Sequence, residues 1–349
     1  IGDWDVSSVT NMAQMFYHYQ GGMTFDQDIG NWDTSSCTQM QGLVRAHLTD
    51  NAFNNGGSPS ISGWDTSNVT NMHYMFARCA SFNQPIGTWD VSSVTDMQYM
   101  FSYATGFNQD LSNWNVSNVT NSMQRMFSDA SSFNQDLSNW NVTGVTSMKN
   151  MFSTCSTFNN GGSTGINNWR PSSCTNMHQM FMNCSGFNQP IGDWDVSSVT
   201  NMDGIFYRYN GEMTFNQDIG NWDTSSCTDM QQMFRGQITD NAFNNGGSSS
   251  ISGWDTSNVT TMQYMFARCG SFNQPIGYWD MGSCTAINQM FYYATGFNQD
   301  LSNWNVTSIT NANNFMQGAN GLSTTNYDRT LSGWSSQSVQ NGVSIHFGN

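Results

Sequence analysis

Thirteen tryptophans recur along the chain, at Trp4, Trp32, Trp64, Trp89, Trp114, Trp140, Trp169, Trp194, Trp222, Trp254, Trp279, Trp304 and Trp334, and the commonest step between them is 25 residues. A repeat this short constrains the fold more than any other feature. One unit cannot enclose a core, so its apolar residues must be buried against the units before and after it. The unit is cleanest from Phe82 to Phe101, which reads Phe82-Asn-Gln-Pro-Ile86-Gly-Thr-Trp89-Asp-Val91-Ser-Ser-Val94-Thr95-Asp-Met97-Gln-Tyr-Met100-Phe101. Longer units carry extra residues just before the Phe-Asn pair, as in Tyr19–Thr24, or just after it, as in Asn54–Ser60. Insertions at fixed positions are expected of loops on particular sides of a coil.

A second period lies over the first. Residues 1–115 match residues 191–305 without gaps, with 27 differences, and the unequal unit lengths repeat in the same order. An array that grows by copying a block of coils suits a solenoid whose units touch only their neighbours.

Within a unit the apolar spacing changes. Trp89 and Val91 alternate with polar residues, the period of a strand with one buried face, whereas Val94, Met97, Met100 and Phe101 fall at three- and four-residue steps, the period of a short helix. The expected fold class is therefore a repeat solenoid, leucine-rich-repeat-like, with short parallel strands plus short helical or 3-10 segments and about 25 residues per coil. Its expected organisation is one continuous solenoid over 1–349, of about thirteen coils, with 320–349 as a C-terminal boundary coil of different apolar pattern. The chain opens in mid-repeat at Ile1-Gly-Asp-Trp4, which leads us to expect further sequence upstream.

Charged residues make up 9% of the chain, 24 acidic against 9 basic, for a net charge of −15. Such a surface repels phosphate backbones and anionic headgroups, so neither nucleic acid nor a membrane surface is an expected partner. No apolar run is long enough to span a bilayer, and 37% hydrophobic residues argue for a folded chain.

The phrases Trp89-Asp-Val-Ser-Ser-Val-Thr, Met97-Gln-Tyr-Met-Phe101 and Phe82-Asn-Gln resemble the 25- or 26-residue lipoprotein repeat of bacterial surface proteins related to the BspA-type leucine-rich-repeat group. Ten of the thirteen units keep Trp-[Asp/Asn]-[Val/Thr]-[Ser/Thr]; Trp169-Arg-Pro, Trp279-Asp-Met and Trp334-Ser-Ser depart from it. The resemblance implies a solenoid displayed at the cell surface, with adhesion as the role where one is assigned. The last unit resembles that group's C-terminal boundary coil.

Each polar series has a slot in the repeat. Cys37, Cys174, Cys227 and Cys284 stand where other units have Val, and Cys79, Cys155, Cys184 and Cys269 where others have Ala, so packed free thiols are expected; bridges such as Cys155 to Cys174 or Cys269 to Cys284 are the alternative. The Asp residues after Trp and after Phe-Asn-Gln form two columns. Stacked carboxylates would suit calcium, but Asn and Pro replace them in other units, and hydrogen-bonded polar ladders fit better. One Thr per unit, from Thr10 to Thr310, gives a single column rather than the paired columns of an ice- or polysaccharide-binding face; a bond to a turn or a cap on a following helix is expected of it. The five histidines occupy different slots, and His18, His47 and His73 lose the imidazole in the duplicated block.

No unique polar cluster points to catalysis, so we expect no enzyme active site and no cofactor. The expected function is a non-enzymatic extracellular scaffold for adhesion, binding proteins or glycans through tyrosines that vary between coils: Tyr17, Tyr19, Tyr74, Tyr99, Tyr103, Tyr207, Tyr209, Tyr264, Tyr292 and Tyr293. The competing expectation is a structural one, a filament or sheath subunit whose ends stack on other chains.

Overall fold

A computed structural model describes the chain except for residues 20–23, 48, 49, 210, 239 and 349. It falls into two compact units, Ile1–Cys174 and Thr175–Asn349. Each is a stack of coils, and the fold is a repeat solenoid.

The coil around Trp89 in the first unit shows the construction. Ile86 and Trp89 close a turn through a Trp89 N–H to Ile86 carbonyl bond of 3.1 Å, and Val91 and Val94 close the next at 3.0 Å. Gly87 sits where a Cβ would meet the Asp110 carbonyl oxygen of the following coil at 2.4 Å, which explains the glycine before tryptophan. After Thr95 the chain enters a string of overlapping turns. Met100, Ser102 and Ala104 donate back to the carbonyls of Met97, Tyr99 and Phe101, while Tyr99, Phe101 and Tyr103 donate forward to Gln124, Met126 and Ser128 one coil on. Alternate N–H groups thus hold the coil and join it to the next, so the backbone donors are satisfied without helix or sheet.

This corrects the expected local structure. Among the described residues there are no strands, only isolated parallel bridges such as Asn71 to Asp96, and these fall after the Thr rather than at Trp89–Val91. No helix follows the Thr either. A string of turns also brings residues three and four apart onto one side, so Val94, Met97, Met100 and Phe101 are all buried as a helix would bury them. The turns need a left-handed residue at their third position. That residue is Tyr99 (φ 57°) and then Tyr103 (φ 60°) in this coil, and Gln14, Gly42, Tyr74, Arg125 and Asn150 fill the first slot in the other coils of this unit. A left-handed conformation costs a non-glycine residue about 1–2 kcal/mol, which the bonds between coils offset.

The second unit repeats this pattern. Gln232, Phe234 and Gly236 donate to the carbonyls of Gln263, Met265 and Ala267, and Gln179, Gly204, Gln232, Tyr264, Gln289 and Asn314 occupy the left-handed slot.

Three ladders bind the coils inside each unit. The indoles from Trp32 to Trp169 and from Trp222 to Trp334 donate to the Ile or Leu carbonyl that opens the tryptophan turn of the coil before, as Trp114 does to Ile86 at 3.1 Å and Trp279 to Ile251 at 3.1 Å. The Phe of Phe-Asn-Gln stacks from coil to coil, with Phe82 5.8 Å from Phe107 and Phe107 5.9 Å from Phe133. The Asn beside it accepts the N–H of the next Asn, from Asn54 to Asn83 to Asn108 to Asn134, and the Gln amide reaches the same Asn.

The insertions after Phe-Asn form paired 3-10 turns at Asn55–Gly57 and Pro59–Gly63, at Asn160–Gly162 and Thr164–Asn168, and at Asn245–Gly247 and Ser249–Gly253. The Tyr19–Thr24 insertion lies largely outside the described residues. A third insertion point, which the sequence reading missed, is the extra residue between Thr120 and Met123. There Thr120 turns back to Asn118, and Thr146 bonds the Asn121 carbonyl instead. In 320–349 the chain forms helix α1, Thr324–Ser335, which is capped by Ser323 and buries Thr330 and Trp334, whose indole continues the ladder onto Leu301.

Candidate functional site

The structure accounts for most of the polar series as parts of the scaffold. Asp5, Asp33, Asp65, Asp90, Asp195, Asp223 and Asp255 each accept the N–H of the Ser two residues on, and where Asn replaces Asp, Asn115 accepts that of Ser117, Asn141 that of Thr143 and Asn305 that of Thr307. The second column closes the corner before tryptophan in the same way, as in Asp28 to Gly30 and Asp110 to Ser112. Donors aimed at the ionised form lower the carboxyl of Asp33 and Asp255, the Ser35 and Ser257 side chains first. Among the described residues no three His, Cys, Asp or Glu side chains converge to hold a metal.

The Thr residues do not cap a helix. Thr38, Thr70, Thr95, Thr200, Thr228, Thr260, Thr285 and Thr310 each give both N–H and hydroxyl to the Thr carbonyl of the coil before. All eight cysteines are free and buried, so neither alternative bridge forms. Burial raises the Cys227 thiol to about 12 and that of Cys284 to about 11.

The tyrosines are different, because their slots vary and their side chains are used less by the backbone. They lie on the turn string, and Tyr74, Tyr99, Tyr103, Tyr264 and Tyr293 all have left-handed backbones. Arginine occupies the same string. Of the nine basic residues, Arg45, Arg78, Arg125, Lys149, Arg208, Arg235 and Arg268 are there, leaving only Arg170 and Arg329 elsewhere.

In the first unit the two residue types interleave. The Arg45 guanidinium lies 3.7 Å from the centre of the Tyr74 ring and 5.6 Å from that of Tyr17. Tyr74 stacks on Tyr99 at 4.4 Å, Arg125 stands 5.9 Å from Tyr99, and Arg78 is 4.2 Å from Tyr103. Tyr19, 57% exposed, stacks on His47 at 5.0 Å. These contacts are cation–π and stacking interactions worth about 0.5–1 kcal/mol each at exposed sites. Burial and the neighbouring Tyr99 raise the Tyr74 phenol. Arg45, His47, Tyr74, Arg78, Tyr99, Tyr103 and Arg125 line an open cavity of about 150 Å³.

The second unit keeps half of this. Arg235 lies 4.1 Å from Tyr264 and 5.4 Å from Tyr207, and Arg268 is 4.8 Å from Tyr293 and 6.0 Å from Tyr292. Tyr209 is 46% exposed and its N–H bonds Asn183. Gln237, Gln289 and Asn314 stand where the first unit has His47, Tyr99 and Arg125.

All ten tyrosines singled out in the sequence thus sit on the strip within their own units. The arginines were missed. Their signal was the duplication, in which Arg45 and Arg78 persist as Arg235 and Arg268 while His18, His47 and His73 change. Tyr278, 84% exposed, was also missed; it lies off the strip, between Gly277 and Trp279.

Stacked turn-built coils with a variable aromatic and cationic strip define the class: a tandem-repeat solenoid protein. The chain belongs to the family described as "Mycoplasma protein of unknown function, DUF285", matched at residues 1–56, 47–164, 159–248 and 237–334. Among solved structures a leucine-rich-repeat protein of Leptospira interrogans is similar at 6% identity over 92% of this chain and 93% of that one, with a TM-score of 0.21, too low to carry any argument. No curated protein matches the chain. Among the described residues no helix is long and apolar enough to cross a membrane.

Proposed function

We propose that this protein is a non-enzymatic binding scaffold displayed outside the cell, and that its ligand-binding surface is the arginine–tyrosine strip. One observation carries the reading: seven of nine basic residues lie on the tyrosine-bearing turn strings, four in the first unit and three in the second, in a chain of net charge −15. Backbone needs do not explain Arg78, Arg125 and Arg268, since Gln, Asn and Gly fill the same left-handed slots in other coils. Tyrosine and arginine are the side chains most enriched at binding hot spots. The regular Asp, Thr and Asn columns, by contrast, are taken up by bonds within and between coils, which favours a structural role for them. Adhesion to extracellular proteins or glycans is the activity that such a surface on a cell-surface repeat protein would serve.

The test is solid-phase binding of the whole chain to panels of extracellular glycoproteins and immobilised glycans, beside a Tyr74→Gln, Tyr99→Gln, Tyr264→Gln variant. Gln already occupies this left-handed slot at Gln14, Gln179, Gln232 and Gln289, so the variant should fold. Binding by the parent and loss by the variant is the expected outcome. Equal binding by both would remove the strip from consideration.

A further inference from the structure

We infer that the cavity bounded by Arg45, Arg78 and Arg125 receives the carboxylate or sulfate of an acidic sugar, whose ring lies against the tyrosines. This deepens the reading of the strip as the binding surface and rests on it. Three guanidinium groups converge here although the chain as a whole is strongly acidic. Asp50 is paired with Arg78 at 3.5 Å, but among the described residues neither Arg45 nor Arg125 has a carboxylate within ion-pair distance. The Nε of Arg125 is buried with no acceptor, a donor left unpaired inside the fold.

A purely structural role for the cations, gluing aromatic rings together, accounts for Arg45 on Tyr74. It does not account for Arg125. At 5.9 Å from Tyr99 that guanidinium stands at the outer limit of ring attraction, and Gln or Asn fills its slot elsewhere. Guanidinium donors in a fixed fork match the oxygens of carboxylate and sulfate.

Size and field narrow the ligand. A cavity of about 150 Å³ is below the roughly 300 Å³ at which a whole drug-sized ligand is enclosed. It takes one charged group and part of a ring. Tyr99 and Tyr103 line it with aromatic surface against which the C–H face of a pyranose can pack, while Tyr74 is covered by Arg45 and stacked on Tyr99. A long polyanion would meet the acidic remainder of the surface, so a single anionic group is favoured over an extended charged chain. The second unit lacks the equivalents of His47, Tyr99 and Arg125, so one strong site per chain is expected rather than two.

The experiment is saturation-transfer NMR and calorimetry on the whole chain with glucuronate, glucose 6-sulfate, glucose and inorganic sulfate. Glucuronate and glucose 6-sulfate should bind at one site per chain and glucose should not. Arg125→Gln, a residue the slot already tolerates, should weaken both acidic sugars at least tenfold with its thermal midpoint held. Asp129→Asn, which removes a carboxylate that interacts with Arg125 and Arg78, should tighten them. Glucose binding as well as its acidic derivatives, or an Arg125→Gln variant of unchanged affinity, overturns the inference. Inorganic sulfate binding as tightly as glucose 6-sulfate overturns its sugar component. If acidic sugars fail while the tyrosine variant still loses adhesion, this inference falls and the binding surface stands; if adhesion is also unaffected, both fall.

Discussion

The indole N–H of Trp114 donates to the Ile86 carbonyl at 3.1 Å, so the residue that recurs most regularly in the sequence is also a hydrogen-bonded rung between coils. Trp114 is almost fully buried, and its indole gives the Ile86 carbonyl, which already closes the Trp89 turn, a second partner from the next coil.

Trp114→Phe therefore tests the rung apart from the packing. It keeps an aromatic ring and leaves the Ile86 carbonyl its bond from the Trp89 N–H, so the loss of one hydrogen bond should cost about 0.5–1.5 kcal/mol. Trp114→Ala removes the ring as well and should cost about 3–5 kcal/mol. Urea titration followed by circular dichroism ranks the two, and a Phe variant as stable as the parent would show that the rung contributes nothing.

The rung was only half legible in the sequence. The period, the duplication and the buried positions of Trp89, Val91, Val94, Met97, Met100 and Phe101 follow directly from spacing and apolar character. The backbone between them does not. Three- and four-residue steps fit a helix and a string of turns equally, and what decides between them is a left-handed residue at slots held by Tyr, Arg, Gln and Asn. Gly42, Gly204 and Gly318 were the hints, but Tyr99 and Arg125 are not residues from which positive φ is inferred. The site was obscured for a related reason. Its tyrosines stood out because they vary, whereas its arginines lie up to a whole coil away from the rings they cover and are joined to them only once the coils stack.

Thr154 fills the second left-handed slot at φ 59°, where a β-branched side chain is most strained. Asn183 holds the equivalent position comfortably. Thr154→Asn should stabilise the protein by about 1 kcal/mol, read as a higher urea midpoint with unchanged slope. A lower midpoint would mean that the threonine side chain makes up for its backbone.

The thiols offer a probe of opening. Cys79 and Cys269 are fully buried and Cys184 nearly so, and their thiols are held protonated by burial, as are those of Cys227 and Cys284 at about 12 and about 11. Since the thiolate is the reactive form, a water-soluble disulfide reagent at pH 8 should leave all eight unmodified in the native protein. Labelling should rise together with unfolding in urea. Fast stoichiometric labelling of even one thiol without denaturant would contradict the packing described.

Asp129 should show an inverted dependence on pH. Burial raises its carboxyl above the usual range, outweighing the Ser128 hydroxyl and the Arg125 and Arg78 charges that lower it. A folded-state value above the unfolded one, near 3.9, means that the native protein binds this proton more readily. The ionised side chain therefore weakens the fold at every pH above its folded value, and the penalty disappears as the pH falls through that value toward the unfolded one. Asp129→Asn removes the charge, keeps an oxygen for the Ser128 hydroxyl at 2.7 Å, and suits the left-handed backbone of φ 61°. At pH 7 the variant should be more stable by roughly 1 kcal/mol or less, because a half-buried charge is partly screened. Urea midpoints measured from pH 7 down to pH 4 should show the electrostatic part of that gain shrinking with acidification. A gain that grew instead would mean that Asp129 is ionised to the benefit of the fold, held by Arg125 and Arg78, and that the cavity beside it is less free to take an outside anion.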